Sequence, residues 1–215
     1  PSSGRRPDMS TTFEVYPADT YIPSFSELLS HTEMALECYL KSIHINKSIR
    51  MNAELHLING HDKKTVQPED KVVWDETAYA WFFVKDVPGG TDAYYCRHTD
   101  LDIGFLKEEL AMNDNFRKHS KIIHDNLRVG YHWVFRRSAG QPAIITLSYG
   151  FLAAALAKMT NGVIYTDDGA WDYEKFPAGP DDFMSWYFRP EHAENQDDAD
   201  FTERCIRSIR KMLAG

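Results

Sequence analysis

The stretch "NGVIYTDDGAWDYEKFP", residues 161–177, sets Asp167, Asp168, Asp172 and Glu174 around Trp171 and Tyr173. Carboxylate oxygens in such number are ligands of the kind a hard cation such as magnesium takes. Three readings follow: a metal or catalytic site, a surface that another molecule reads, or a solvated turn. The metal reading needs a complementary acidic cluster, and no second stretch identifies itself as one in any known ligand spacing. Asp-Asp-Gly is turn chemistry, which accounts for the aspartates. It accounts less well for the rings, because aromatic area beside carboxylate charge is what a recognition surface combines. Turn against partner surface stays open on these residues alone.

Nine histidines invite an acid/base or metal reading, and His119, His124 and His132 fall close enough to look like a set. Their spacing argues against it: on a helix, His119 and His124 would point about 140° apart, and His132 belongs to the following strand. Exposed or hydrogen-bonded histidines are the simpler expectation. The chain has no HExxH, no GxxxxGK, no GxGxxG and no EF-hand loop. "TLSYGF" places a serine two residues before a glycine, but Thr146 stands where a nucleophile elbow needs its first glycine, inside a helical pattern. A serine hydrolase is excluded on that ground.

The elements that must position these groups are legible in part. "TTFEVYP" alternates and reads as a strand ending at Pro17. Ser24 and Glu27 form a capping-box pattern ahead of Leu28, Leu29, Thr32, Leu36, Tyr39, Leu40 and Ile43 at helical spacing. "AELHLI" reads as a strand, "NGHDKKTVQPED" as a loop, and "KVVWD", "YAWFFVKD" and "AYYCR" as strands, the last two joined by a hairpin through "VPGGTD". A helix with a wet back is expected over 105–127, broken near Asn113. "RVGYHWVFRR" then alternates as a strand. "PAIITLSYGFLAAALAKMT" is apolar nearly all round and predicts a central buried helix near 142–160, closed by a left-handed Gly162 and followed by the strand "VIYT". Pro180 opens "DDFMSWYF", and the last helix carries Phe201, Cys205, Ile209 and Leu213 on one face with a dipole-matched charge order. The order predicts an α+β fold, an antiparallel or mixed β-sheet covered by helices.

A length of 215 residues suits one domain. Residues 1–8, "PSSGRRPD", have the character of a tag remnant, leaving 9–215 as a single α+β domain. Setting them aside removes two arginines and one aspartate and moves the formal charge from -8 to -9. Such a balance, without a basic block, argues against nucleic acid and anionic membrane and favours a basic partner. No stretch approaches the roughly 18 apolar residues of a membrane span, and without a leader a cytoplasmic location is expected. Three cysteines, odd in number and far apart, support neither a disulfide framework nor a zinc ribbon.

The segment "YHWVFRRSAGQP", the helix ending "AAALAKMTNG" and the strand "VIYTDDGAWD", within residues 131–188, resemble the layout of small α+β immunity proteins of bacterial polymorphic-toxin systems. In that family an A-L-A-x-x-T-x-G-x-I-Y segment recurs. The resemblance implies a non-enzymatic, cofactor-free protein that occludes one cognate toxin, a basic protein acting in the cytoplasm. On that expectation Asp167, Asp168, Asp172 and Glu174 would meet a basic cleft while Trp171 and Tyr173 anchor the contact. A small metal-dependent hydrolase using residues 167–174 is the rival expectation, and a scaffold or small-molecule sensor a third.

Overall fold

The computed structural model describes residues 10–58, 62–168 and 173–214. Residues 1–8 lie outside them. The elements run β1 (Thr11–Tyr16), α1 (Phe25–Ser42), β2 (Met51–Leu57), β3 (Lys63–Thr65), β4 (Ala78–Val84), β5 (Thr91–Arg97), α2 (Asp100–Met112), α3 (Asp114–Lys118), α4 (Ser120–Val129), β6 (Tyr131–Arg137), α5 (Ala143–Met159), β7 (Val163–Tyr165), α6 (Pro180–Trp186) and α7 (Gln196–Ala214). The strands form one sheet in the order β3-β2-β4-β5-β6-β1-β7. Every pairing is antiparallel, so of the two sheet types expected the antiparallel one holds, within the expected α+β class.

Alternation along the strands splits side chains between two faces. The inner face carries Phe13 and Val15 of β1, Trp133 and Phe135 of β6, Ala80 and Phe82 of β4, all essentially without solvent contact. Helix α5 lies on it, buried from Ile144 to Ala157, as its all-round apolar sequence requires. Phe13 stacks on Tyr149 of α5 with centroids 4.7 Å apart. Helices α1, α6 and α7 pack against α5 from outside. The Ser24–Glu27 capping box forms as expected: Ser24 Oγ accepts from Glu27 N at 3.2 Å, and the Glu27 carboxylate accepts from Ser24 N at 2.6 Å.

Among the described residues, helices cover the outer face on one side only. Leu106 of α2, Phe116 of α3 and Ile123 of α4 pack onto Tyr16 of β1 and Val163 of β7. The break near Asn113 falls where expected, with Asn113 Oδ1 capping α3 by accepting from Asn115 N at 2.9 Å. Buried Asn126 ties this cover down by donating to the carbonyls of Pro17 at 3.0 Å and Tyr131 at 2.9 Å. Gly130 then ends α4 in the left-handed region, φ 80°, and the chain turns into β6.

Three local expectations are corrected. "KVVWD" is not a strand: only Lys71 forms an isolated bridge, to Ser24, while Val72 and Trp74 are buried and Val73 and Asp75 are not. Its alternation records side-chain burial without ladder pairing. The expected loop 59–70 contains β3, which pairs with β2. At the end of α5 the left-handed residue is Asn161, φ 51°, not Gly162. Gly162 is required for a different reason, since a Cβ there would press into the Tyr16 carbonyl.

Candidate binding face and its buried polar end

Register places the outer-face side chains of adjacent strands in rows. One row runs Glu54, Trp81, Asp92, Arg136 and Thr12 across β2, β4, β5, β6 and β1. The next joins His56 to Tyr79 and Tyr94 to Val134, Glu14 and Tyr165 by register, and the Tyr79 and Tyr94 rings lie 5.9 Å apart. On β4 and β5 the rings of Tyr79, Trp81, Phe83 and Tyr94 are half-buried, and the apolar cluster under α2–α4 takes no residue from β2, β4 or β5. Among the described residues no helix covers this half of the face, which forms a platform of half-buried aromatic rings.

Polar contacts hold the Tyr79 end of the platform in place. Lys63 Nζ and His56 Nε2 each lie 3.1 Å from Glu54 Oε2, and His56 Nδ1 lies 3.2 Å from the Tyr79 hydroxyl. His56 packs against Tyr79 at 5.1 Å and Trp81 at 6.1 Å, and Tyr79 against Tyr94 at 5.9 Å. Burial pushes the Asp92 carboxyl up, with Arg136 opposing. Fixing rotamers before contact lowers the ordering cost of any association.

At its covered end the same face closes over a polar group. Glu14 accepts a short hydrogen bond from the Tyr16 hydroxyl. Burial pushes the Glu14 carboxyl up to about 7; the Tyr16 bond opposes this, and Asp167 and Asp102 add to it by repulsion. Tyr16 stacks on His132 at 5.1 Å, and His132 lies 5.3 Å from His98. Burial lowers His132 to about 4, with His98 acting in the same direction and Asp102 against it. Among the described residues His132 Nδ1 and both ring nitrogens of His98 are buried without a hydrogen-bond partner. Asp102 belongs to a second capping box, accepting from Thr99 N at 2.7 Å at the start of α2.

The acidic stretch borders this end. Strand β7 stops at Tyr165, opposite Glu14, and the Asp168 carboxylate takes the next place in the ladder by accepting from Thr12 N at 3.1 Å. Asp168 N is itself held by Thr166 Oγ1 at 3.1 Å. Asp167 is exposed. Glu174 is exposed in a short 3-10 turn, Tyr173–Lys175, and its carbonyl accepts from Asn115 of α3. Trp171 and Asp172 lie outside the described residues, as does the Tyr173 side chain. Asp168 thus has a structural task, while Asp167 and Glu174 remain presented to solvent. Replacing Asp168 with alanine is expected to cost about 1 kcal/mol, measurable by denaturant titration, and to speed hydrogen exchange at the Thr12 amide.

Sequence reasoning finds the acidic edge and misses the platform and the polar end. His132 joins neither His119 nor His124: His124 is exposed on α4, with Nδ1 2.7 Å from the Ser120 carbonyl, and the neighbour of His132 comes from residue 98. Among the described residues no group of three or more His, Cys, Asp or Glu side chains is placed to hold a metal ion, and no helix is long and apolar enough to cross a membrane. The cysteines are free thiols, exposed at Cys38, half-buried at Cys96 and buried at Cys205. Neither a protein-family model, nor a curated protein, nor a solved structure matches the chain.

Proposed function

We propose that this chain is a non-enzymatic binding protein of the immunity or inhibitor type, which occludes a basic protein toxin with the outer face of its sheet and the acidic edge beside it. The observation that carries the reading is the aromatic platform: Tyr79, Trp81, Phe83 and Tyr94 are half-buried on strands whose outer face no helix among the described residues covers. Trp and Tyr side chains are over-represented among the anchors of tight interfaces, and Tyr79 is fixed by His56. The chain's formal charge of -8, with Asp167 and Glu174 exposed along the edge, favours a cationic counterpart and speeds its approach. The likeness of residues 131–188 to immunity proteins points to the same partner class.

The test is co-expression with a candidate toxin domain, read by growth, together with a binding titration. The native chain is expected to restore growth. Trp81→Ala should weaken binding by about 2 kcal/mol or more, roughly 30-fold, and the pair Asp167→Lys, Glu174→Lys should slow association and reduce its salt dependence. Unchanged affinity in a folded Trp81→Ala, Tyr94→Ala variant would move the contact elsewhere, first to the acidic segment holding Glu191, Glu194, Asp197 and Asp198. Turnover of any substrate by the purified chain would overturn the reading.

A further inference from the structure

A groove of about 310 Å³ opens between α1, α5 and α6, on the helical side of the molecule. Its cause is legible in the chain. Ala153, Ala154 and Ala155 are consecutive on α5, and Ala154 and Ala155, themselves nearly buried, line the groove with methyl groups too small to fill the space between the flanking helices. Ala35, Cys38 and Tyr39 of α1 and Met184 of α6 complete the lining. The volume falls at the small end of ligand-binding cavities, and the lining has their usual mixture of apolar surface and few polar groups.

The charged groups that line it are Lys158, Asp181 and Arg189, a net of one positive charge against the sign of the whole molecule. Lys158 pairs with Asp181 at 2.7 Å on the rim. Arg189 lies half-buried at the Tyr39 end, its guanidinium 5.1 Å from the centre of the Tyr39 ring and its Nη1 donating to Ser42 Oγ at 3.0 Å. Among the described residues no carboxylate pairs with it. A guanidinium partly withdrawn from water and without a counter-ion favours an anion, and its planar fork matches a carboxylate through two parallel hydrogen bonds.

We propose that this groove binds a free, medium-chain amphipathic anion, its apolar chain along Ala154, Ala155 and Met184 and its carboxylate on Arg189. This site is separate from the sheet face and stands whether or not that face binds a toxin.

Cys38 supplies the readout, because its thiol is exposed on the groove wall. The full chain is labelled with a maleimide, and modification of Cys38 is followed by peptide mass in the presence of decanoate, below its micelle concentration, or of decyltrimethylammonium. Decanoate is expected to slow labelling at least tenfold at saturation while the cationic amphiphile does not. Arg189→Gln should raise the half-protecting decanoate concentration at least tenfold. Ala155→Leu, and Ala35→Leu on α1 should the first fail to fold, are expected to abolish protection. The proposal is overturned if decanoate leaves the rate unchanged, if both amphiphiles protect equally, if Arg189→Gln has no effect, or if labelling slows with protein concentration alone, which would put a second copy in the groove.

Discussion

Glu14→Gln is expected to stabilise the protein at pH 8 by on the order of 2–3 kcal/mol and to leave it unchanged at pH 4. The folded Glu14 carboxyl titrates at about 7 against the 4.5 of an ordinary glutamate, and each tenfold change in proton affinity corresponds to about 1.4 kcal/mol; partial exposure of the side chain reduces the total. Because the folded state holds this proton more tightly than the unfolded chain, stability falls as pH rises from 4.5 to 7 and stays low above. Glutamine keeps an acceptor for the Tyr16 hydroxyl without a charge to bury. His132 acts with the opposite sign: lowered to about 4 from 6.5, it stays neutral while the unfolded chain gains a proton, so stability falls as pH drops from 6.5 towards 4. The native protein therefore combines two opposed slopes between pH 4.5 and 6.5. Thermal unfolding of the native chain and of Glu14→Gln across pH 4–9 separates them, and a constant difference across that range would refute the assignment.

Gly150→Ala is expected to destabilise the fold by about 2–3 kcal/mol, although alanine is the better helix former by about 1 kcal/mol. A Cβ at this position would enter the ring of Tyr187. That ring has nowhere to go: it stacks on Phe183 at 4.7 Å and meets Phe13 edge-on at 5.9 Å, and its hydroxyl donates to the Thr146 carbonyl at 2.5 Å. Displacing it combines overpacking with a lost buried hydrogen bond, about 1–3 and about 1 kcal/mol respectively. The diagnostic is a change of sign. In a Tyr187→Ala background the obstruction is gone, so Gly150→Ala should become stabilising through helix propensity alone, as denaturant midpoints would show.

The sequence is most readable where local chemistry and burial coincide. Ser24 and Glu27 announce α1 because both halves of the cap lie within four residues, and α5 is apolar because it is buried from Ile144 to Ala157. "KVVWD" misleads because Val72 and Trp74 alternate inward like strand residues while the backbone spends its groups elsewhere, Val72 N on the Pro23 carbonyl at 3.0 Å and Val72 O on Trp133 Nε1 at 2.7 Å. β3 leaves no apolar trace, since Lys63, Lys64 and Thr65 are all exposed at the sheet's edge. The polar end of the outer face has no spacing signal at all: Glu14, His98, Asp102 and His132 come from β1, the residues leading into α2, α2 itself and β6, and only strand register brings them together. The aromatic platform is visible as β-forming composition, but which face of β4 and β5 lacks a helix is decided by where α2–α4 settle.

The placement of β1 carries a consequence for biogenesis. Its ladder partners are β6 and β7, with Thr11 opposite Arg137 and Glu14 opposite Tyr165, so residues 11–16 leave the ribosome well over a hundred residues before anything they can pair with. At translation speeds of roughly 5–20 residues per second that interval is on the order of ten seconds, during which an apolar, alternating segment is unprotected. Strand β1 can therefore join the sheet only after β6 has been synthesised.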